Sequence, residues 1–182
     1  MIYGFFGDIG SGKTLTMTRY AYAYYLAGYK IFSNYNLNFP HEKITPDLLK
    51  QIVREDLNFD GKTIFCLDEF DMWVDSRSSM SKTNKIIGYF TKQVRKKKIQ
   101  MLIATQFKHT LDKRVRGLIR ITVLCEPKTF DLKYKDDTVE PLLFIYTTYE
   151  KDGRVMFKKR FFANPFFNLY DTEELISLDE DL

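Results

Sequence analysis

The stretch GDIGSGKT at residues 7–14 decides the fold class of this chain. It follows MIYGFF at 1–6, which has the composition of a short buried strand, and precedes a segment over 13–27 with small and apolar residues at helical spacing. The pattern G-x4-G-K-[ST] between a strand and a helix is typical of a loop whose backbone N–H groups wrap phosphate oxygens. The helix that follows presents its N-terminus to the same phosphates. The sequence therefore predicts a nucleotide-phosphate site at the start of the chain.

Individual residues of this loop have separate expected roles. We expect Lys13 to reach the β- and γ-phosphates and the Thr14 hydroxyl to ligate Mg²⁺, so ATP and Mg²⁺ are the expected ligands. The residues expected to contact the nucleotide are Gly7, Asp8, Ile9, Gly10, Ser11, Gly12, Lys13 and Thr14. A glycine-rich turn that merely exposes a lysine is the simpler alternative. A dinucleotide fingerprint fits poorly, because its second strand would end in an acid and this one ends in Ser33-Asn34.

Two later strand ends also carry polar residues. TIFCLDEF at 63–70 is a near-continuous apolar run that ends in acids, as in a strand buried on both faces of a parallel sheet. We expect Asp68 to bind Mg²⁺ directly or through water, and Glu69 to polarise the attacking water. LIATQ at 102–106 ends the next strand, and Gln106 is expected to contact the γ-phosphate and the water. Exposed loop acids and a capped strand end are the alternatives.

The order of segments predicts a sheet layered by helices. The further predicted elements are a strand at 31–34, a short helix capped by Thr45 with Pro46 and Asp47 in its first turn, a helix over about 80–98 with Ile86, Phe90 and Val94 as its core stripe, a strand at 118–125, and a hairpin at 142–162 around Asp152-Gly153. The expected fold class is α/β: a P-loop NTPase three-layer sandwich with a mostly parallel sheet and a C-terminal β-hairpin at one edge.

We expect a single domain over 1–182. It divides into a nucleotide-binding core at 1–125 with an insertion at 35–62, a hairpin addition at 126–162, and an acidic tail at 163–182.

Composition limits the function classes. The chain has 182 residues, of which 45% are hydrophobic, so it can bury one core and is too apolar to be disordered. Its longest apolar runs are far shorter than the roughly 20 residues of a membrane helix. We therefore expect no membrane insertion and a cytoplasmic protein. Cys66 and Cys125 form neither a disulfide framework nor a metal-binding spacing.

Positive charge is concentrated in the middle of the chain. The net charge is +4, but residues 82–120 hold 12 Lys or Arg and a single acid, Asp112. A solvated face is the ordinary explanation, and a surface that binds a polyanion such as DNA is the alternative. The residues that could line a DNA path are Lys92, Lys96, Lys97, Lys98, Lys108, Lys113, Arg114 and Arg116.

An arginine against the γ-phosphate, often supplied by a neighbouring subunit, accelerates phosphoryl transfer. Arg95 precedes the LIATQ strand and lies off the apolar stripe of its helix, so it is free to project. Arg77, Arg114 and Arg116 are the other candidates. For Arg95 itself, a solvated side chain or a DNA contact is the alternative.

These motifs in this order resemble the FtsK–HerA superfamily of P-loop ATPases. The residues that carry the resemblance are the loop at 7–14, LDEFDMW at 67–73, DSR at 75–77, Arg95, Thr105-Gln106 and YDTEE at 170–174. Within the superfamily the chain is similar to Zot-like and viral genome-packaging ATPases, and the last of these motifs is similar to a late YDT element of Zot-like proteins. The loop and the Asp-Glu pair occur in many ATPases, whereas the whole ordered set is more specific.

This resemblance implies an oligomeric motor, expected to be a hexamer, that uses ATP to translocate or package double-stranded DNA and is encoded by a virus or mobile element. The implied roles are Lys13 and Thr14 on the nucleotide, Asp68 on Mg²⁺, Glu69 as catalytic base, Gln106 as sensor, and Arg95 as a finger acting in trans. A virion or portal protein is a further expected partner, in the host cytoplasm or on the virion. Zot-like proteins usually carry a membrane helix after the ATPase domain, and its absence from this sequence favours packaging over membrane-bound extrusion.

Two other functions stay open. A Zot-like assembly or morphogenesis protein would use the nucleotide to act on a protein partner without moving DNA. A small-molecule kinase would need an acceptor pocket and a lid, and no arginine-rich lid is evident. DNA-stimulated ATP hydrolysis separates the motor from both.

Overall fold

A computed structural model describes residues 1–55, 59, 61–73, 82–130 and 142–171 of the chain. The strands are β1 (Ile2–Phe6), β2 (Lys30–Ser33), β3 (Glu42–Lys43), β4 (Thr63–Leu67), β5 (Ile99–Thr105), β6 (Ile121–Phe130), β7 (Leu142–Lys151) and β8 (Arg154–Phe162). The helices are α1 (Lys13–Leu26), α2 (Pro46–Arg54), α3 (Phe70–Trp73), α4 (Lys82–Gln93) and α5 (Lys113–Arg116), followed by a 3₁₀ helix at Asn164–Leu169.

The strands form one sheet in the order β3-β2-β4-β5-β1-β6-β7-β8. The pairings from β3 to β6 are parallel, and β6-β7 and β7-β8 are antiparallel. The predicted α/β class, with a mostly parallel sheet and a hairpin at one edge, is confirmed. β6 continues without a break across residues 125 and 126, where we expected the nucleotide-binding core to end and the hairpin addition to begin.

Apolar side chains cover both faces of the parallel strands. All five residues of β4 are buried, and alternate residues belong to different clusters: Phe65 and Leu67 pack on the face of α4, whereas Ile64 and Cys66 pack on the face of α1. Burial on both faces explains why this strand has a continuous apolar run instead of an alternating one.

Two helix boundaries follow from local backbone chemistry. α2 begins as predicted, with the Thr45 hydroxyl accepting a hydrogen bond from the Leu48 N–H. The helix predicted over about 80–98 ends instead at Gln93, and turns continue to Lys98: Lys97 N–H bonds to Gln93 C=O, and a Schellman pair from Lys98, at φ 56°, and Ile99 then ends them.

The core stripe of α4 is confirmed at its C-terminal end. Phe90 and Val94 are buried, and the side chain of Ile86 lies outside the described residues. Within the described ranges, no helix combines the length and the apolar character needed to cross a membrane.

The segment 163–171, which we call the strap, is the part of the predicted acidic tail that the structure describes. It leaves β8 and crosses the outer side of α1, where the Arg19 guanidinium lies over the rings of Phe161 and Phe166. It then bonds to the chain after β2, with Asn38 N–H donating to Leu169 C=O at 2.8 Å. The aromatic content of the strap explains its packing, and the acids of the predicted tail lie mostly beyond residue 171.

The first prediction concerns the aromatic centre of the core. Phe65 is fully buried and stacks on Phe32, with ring centroids 4.6 Å apart, and it contacts Phe90 at 5.3 Å. We expect Phe65→Ala to lower the free energy of unfolding by about 3–5 kcal/mol in urea titration, because it leaves a cavity between two layers. Leu26→Ala, at a side chain 68% exposed, is the control and should change it by less than about 0.5 kcal/mol.

Candidate functional site

The phosphate loop joins the carboxyl end of β1 to the N-terminus of α1. At Gly7 and Gly12 a side chain would clash with neighbouring atoms, and both residues have a positive φ that favours glycine. A Cβ on Gly7 would lie 2.6 Å from the Cys125 carbonyl oxygen, and a Cβ on Gly12, at φ 81°, would lie 2.6 Å from Ile145 Cδ1. The loop is therefore packed against β6 and β7, and any larger residue would move it.

The helix that follows is open to an anion. Gly12 caps α1 without a side-chain hydrogen bond from any described residue, so the first backbone N–H groups of the helix are available. The Lys13 ammonium is exposed and donates to the Asp8 carbonyl oxygen at 3.0 Å. This hydrogen bond is exposed to solvent, and it keeps the ammonium beside the phosphate loop.

Thr14 and Asp68, predicted from separate motifs, are in direct contact. The Thr14 hydroxyl donates to Asp68 Oδ2 at 2.7 Å. Asn34, at the end of β2, fixes the backbone of Asp68 from the other side: its Oδ1 accepts from the Asp68 N–H at 2.8 Å and its Nδ2 donates to the Asp68 C=O at 2.9 Å. Hard oxygen donors at the first helical turn and at a strand end are the ligands that Mg²⁺ takes beside a triphosphate, so these residues fit the ion.

Burial dominates the electrostatics of this carboxylate. Asp68 is 6% exposed, and burial raises its pKa to about 6, although the hydrogen bonds from the Thr14 hydroxyl and the Glu69 N–H lower the pKa. A cation beside the group would favour its charged form. Burial therefore makes the charged form of Asp68 unfavourable unless a cation lies beside it.

Glu69 and Gln106 lie at the same edge of the sheet. Glu69 is exposed and has φ 45°, a conformation that costs a residue other than glycine on the order of 1 kcal/mol. Because Leu67 pairs with Ile103 and Phe6 pairs with Thr105, the half-buried Gln106 follows a strand that lies between Glu69 and the phosphate loop. A strained acid, a neighbouring amide and an anion loop thus meet at one edge.

Arg95 lies at the opposite edge. It is exposed in the turn that precedes β5, and the seven residues of β5, roughly 20 Å, separate that turn from Gln106. An arginine side chain does not reach the phosphate loop of its own subunit across this distance. Arg77, another finger candidate, lies outside the described residues.

The predicted DNA-binding residues do not form one surface. Lys92, Lys96 and Lys98 are exposed near the amino edge of the sheet, whereas Lys108, Lys113, Arg114 and Arg116 belong to the connection that follows β5. Arg114 makes an ion pair with Asp112 at 2.8 Å, which holds the pKa of that carboxyl below its usual range. Lys97 is 2% exposed, so its selection as a DNA contact is corrected: a buried ammonium cannot meet a DNA phosphate.

Two sets of residues were missed in the sequence. Asn34 was used only to exclude a dinucleotide site, although a polar residue at a parallel strand end is itself a signal for this edge. The second set comprises the exposed cations of β8: Arg154, Lys158, Lys159 and Arg160. Residues 141–182 contain 5 bases and 8 acids, so their net charge is negative. Most of these acids lie at 171–181, and the negative total therefore gives no sign of the basic cluster on β8.

A glycine-rich loop between a parallel strand and a helix, with a threonine-to-aspartate contact and a polar neighbouring strand end, defines a P-loop nucleoside triphosphatase. The sequence model of the ATPase family associated with various cellular activities (AAA) matches residues 3–127, and the chain belongs to this family. The protein is an ATP-hydrolysing enzyme. No curated protein matches the sequence.

Solved structures share the fold. The N-terminal domain of zonular occludens toxin from Neisseria meningitidis is 20% identical, with a TM-score of 0.61 over 93% of this chain and 98% of that chain. B204, the DNA-packaging ATPase of Sulfolobus turreted icosahedral virus, is 12% identical, with a TM-score of 0.55 over 87% and 95%. The genome packaging NTPase B204 from Sulfolobus turreted icosahedral virus 2, solved with AMPPCP, is 11% identical, with a TM-score of 0.51 over 68% and 74%. At these identities the likeness concerns the fold.

The second prediction tests the contact between Asn34 and the Asp68 backbone. Asn34→Ala leaves the buried N–H and C=O of Asp68 without these partners, so we expect the free energy of unfolding to fall by about 1–3 kcal/mol in urea titration. Steady-state ATP hydrolysis should fall as well, because the strand end is no longer fixed. Asn38→Ala, which removes an exposed hydrogen bond to the Asn168 carbonyl, is the matched control and should cost less than about 0.5 kcal/mol. Equal losses in the two variants would contradict the assignment.

Proposed function

We propose that this ATPase is the subunit of an oligomeric motor that translocates or packages double-stranded DNA. The observation that supports the proposal is that the phosphate-binding residues and Arg95 lie at opposite edges of the same sheet. The phosphate loop, Asp68, Glu69 and Gln106 lie at the carboxyl edge, and Arg95 lies exposed at the amino edge. Because Arg95 is exposed and cannot reach the phosphate loop of its own subunit, it is available to contact the nucleotide bound by a neighbouring subunit.

The residues at the carboxyl edge would divide the work of hydrolysis. The loop N–H groups and Lys13 bind the phosphates, and Thr14 and Asp68 hold Mg²⁺, which supplies charge neutralisation on the phosphate oxygens. Glu69 accepts a proton from the attacking water as its oxygen bonds to the γ-phosphorus and the bond to ADP breaks. Gln106 contacts the water and the γ-phosphate, so its position depends on whether the phosphate is still attached.

Assembly would complete the site. In the proposed ring, expected to be a hexamer, Arg95 of one subunit stabilises the charge that develops on the γ-phosphate of the next. Each hydrolysis event then depends on contact between subunits, which couples chemistry to relative motion. Arg114 is a weaker candidate for this role because it is already paired with Asp112.

The proposed DNA path uses exposed cations on two surfaces. The first is the amino-edge surface of Lys92, Lys96 and Lys98, and the second is the β8 surface of Arg154, Lys158, Lys159 and Arg160. Lys108, Lys113 and Arg116, in the connection that follows β5, would be a separate contact that is not continuous with the first surface. On β8, four cations and no acid occur in seven exposed residues, which favours contact with phosphates irrespective of base sequence.

The context of the motor follows from its relatives in fold. Similarity to B204, described as a DNA-packaging ATPase, supports genome packaging by a virus or mobile element. The proposed setting is the host cytoplasm, with a virion or portal protein as docking partner.

A Zot-like assembly function is the second candidate. It is favoured by the likeness to a zonular occludens toxin domain and by a groove of about 600 Å³ along α1, whose lining includes Tyr20, Tyr22, Tyr24 and Tyr29. Tyrosine is enriched at protein interfaces. Duplex DNA should stimulate hydrolysis by a motor and leave hydrolysis by an assembly protein unchanged.

The third prediction tests Arg95 in trans. Arg95→Ala and Glu69→Gln proteins should each bind ATP and fail to hydrolyse it, since a finger contributes about 10³- to 10⁵-fold and a base about 10²- to 10⁴-fold. When the two are mixed, some interfaces pair an intact Glu69 with an intact Arg95, and phosphate release should partly return. Mixing Glu69→Gln with Lys13→Ala is the control, because both changes lie in the same subunit's site.

Subunit exchange must be checked in the same samples by light scattering with labelled protein. If subunits exchange and activity stays at background, Arg95 is not the finger.

The fourth prediction locates the DNA path by salt dependence. Each phosphate contact contributes about −0.9 to the slope of log affinity against log salt concentration, so removing two cations from a contacting surface should flatten the slope by about 1.8. We expect this for the pair Lys96→Gln and Lys98→Gln and for the pair Lys158→Gln and Lys159→Gln, measured by fluorescence anisotropy on random-sequence duplexes.

The control for this measurement changes a lysine elsewhere. Lys50 forms an ion pair with Asp47 on α2, and Lys50→Gln should leave the slope unchanged. A surface whose variant keeps the original slope does not belong to the DNA path.

A further inference from the structure

β8 is an open strand at the edge of the sheet. It is last in the strand order, and among the described strands it pairs with β7 alone. Its first seven residues, Arg154 to Arg160, are all exposed, so the residues that the structure describes leave this stretch uncovered on both faces. The exposed residues include three apolar side chains, Val155, Met156 and Phe157, at 56%, 51% and 42%. An unpaired edge with exposed apolar residues is a surface to which another strand can add.

The charge on this edge selects the kind of strand that can add to it. Lys158, Lys159 and Arg160 are consecutive, and no described residue forms an ion pair with any of them. The Lys159 ammonium lies over the Phe157 ring at 5.2 Å, so these two residues share one face of the sheet. Alternation places Lys158 and Arg160 on the other face. A second copy of β8 would bring like charges together, whereas an acidic strand would bring opposite charges together.

The chain contains an acidic segment whose pattern matches these cations. Residues 172–182, which lie outside the described residues, read TEELISLDEDL and contain five acids and no base. We call them the acidic segment. Three of its acids, Asp179, Glu180 and Asp181, are consecutive. In an extended strand the first and third would share one face and the second would take the other, which is the arrangement of the three consecutive cations on β8.

The acidic segment is long enough to return to β8 of its own chain. The strap that precedes it starts after Phe162 and contains six residues of 3₁₀ helix, so Asp171 is at most about 25 Å from Phe162. The eight residue steps from Asp171 to Asp179 span about 26–29 Å when fully extended. The segment therefore meets β8 first at the Phe162 end, and a strand that enters there runs antiparallel to β8.

We propose that the acidic segment adds to the free edge of β8 in its own chain as an antiparallel strand. The facing pairs are Asp179 with Arg160, Glu180 with Lys159, Asp181 with Lys158, and Leu182 with Phe157. Each pair shares a face of the sheet, so the charges are matched on both faces and the exposed Phe157 ring gains an apolar neighbour. The inference does not depend on the ATP site. Because the same cations form the proposed β8 contact with DNA, the acidic segment and DNA would exclude each other there.

Zero-length cross-linking tests this placement in the full chain. A carbodiimide joins a lysine amine to a carboxylate that contacts it, and mass spectrometry of the digested protein identifies the joined residues. We expect links from Lys158 and Lys159 to the acids at 179–181, in protein that keeps the mass of a single chain on a denaturing gel. Links that double the mass would show that a second copy supplies the segment. Links spread equally over Lys128 and Lys151 would show that no particular pairing exists, and either result would overturn the proposal.

Hydrogen–deuterium exchange measures the strand pairing without a chemical reagent. In the double variant Asp179→Asn and Glu180→Gln, we expect amides of the peptide 154–162 to exchange about 2- to 30-fold faster than in wild type, the range for loss of two facing charge pairs.

The matched control for this measurement is the double variant Glu173→Gln and Glu174→Gln. It removes the same charge close to Asp171, whose N–H bonds to the Asn36 carbonyl on the β2 side of the sheet. Exchange of the β8 peptide should change less than about twofold in this control, because its acids face no cation in the proposed register. Equal increases in the two double variants, or no increase in the first, would overturn the proposal.

Discussion

Parallel pairing of β2, β4, β5 and β1 is the constraint on which the site depends. Strands that run in one direction and in continuous register end at one edge of the sheet, so residues far apart in the chain become neighbours there. The hydrogen bond between Thr14 and Asp68 and the pair of bonds from Asn34 are consequences of that alignment. Without the register, the glycine loop and the acids would be separate local features with no common chemistry.

The two acids at this edge are neighbours in sequence and opposite in environment. Asp68 is buried and bonded through both its carboxylate and its backbone, which suits a group that must stay in place. Glu69 is exposed and has φ 45°, a conformation that is strained for a residue other than glycine. The metal ligand and the general base that we propose here need these different environments, and the end of β4 provides both within two residues.

The β6 side of the sheet extends the ATPase core. β7 packs against the phosphate loop through Ile145, β8 exposes a row of cations, and the strap returns across α1 to the chain that follows β2. β8 and the strap therefore share one structural support, because both are hydrogen-bonded to β7.

Local patterns were sufficient for the nucleotide loop, the fold class, the cap of α2 and the strand ends at Asp68 and Gln106, because each depends on residues adjacent in the chain. Packing between distant segments decided the rest. The basic block of 82–120 became two surfaces because β5 carries the chain from one edge of the sheet to the other. Lys97, in the turn that precedes β5, is buried. Residues 163–171 pack across α1 through aromatic side chains such as Phe166. The strap begins 137 positions after α1 ends at Leu26. Charge and hydropathy along the chain carry no information about which segments meet, and only the folded sheet supplies it.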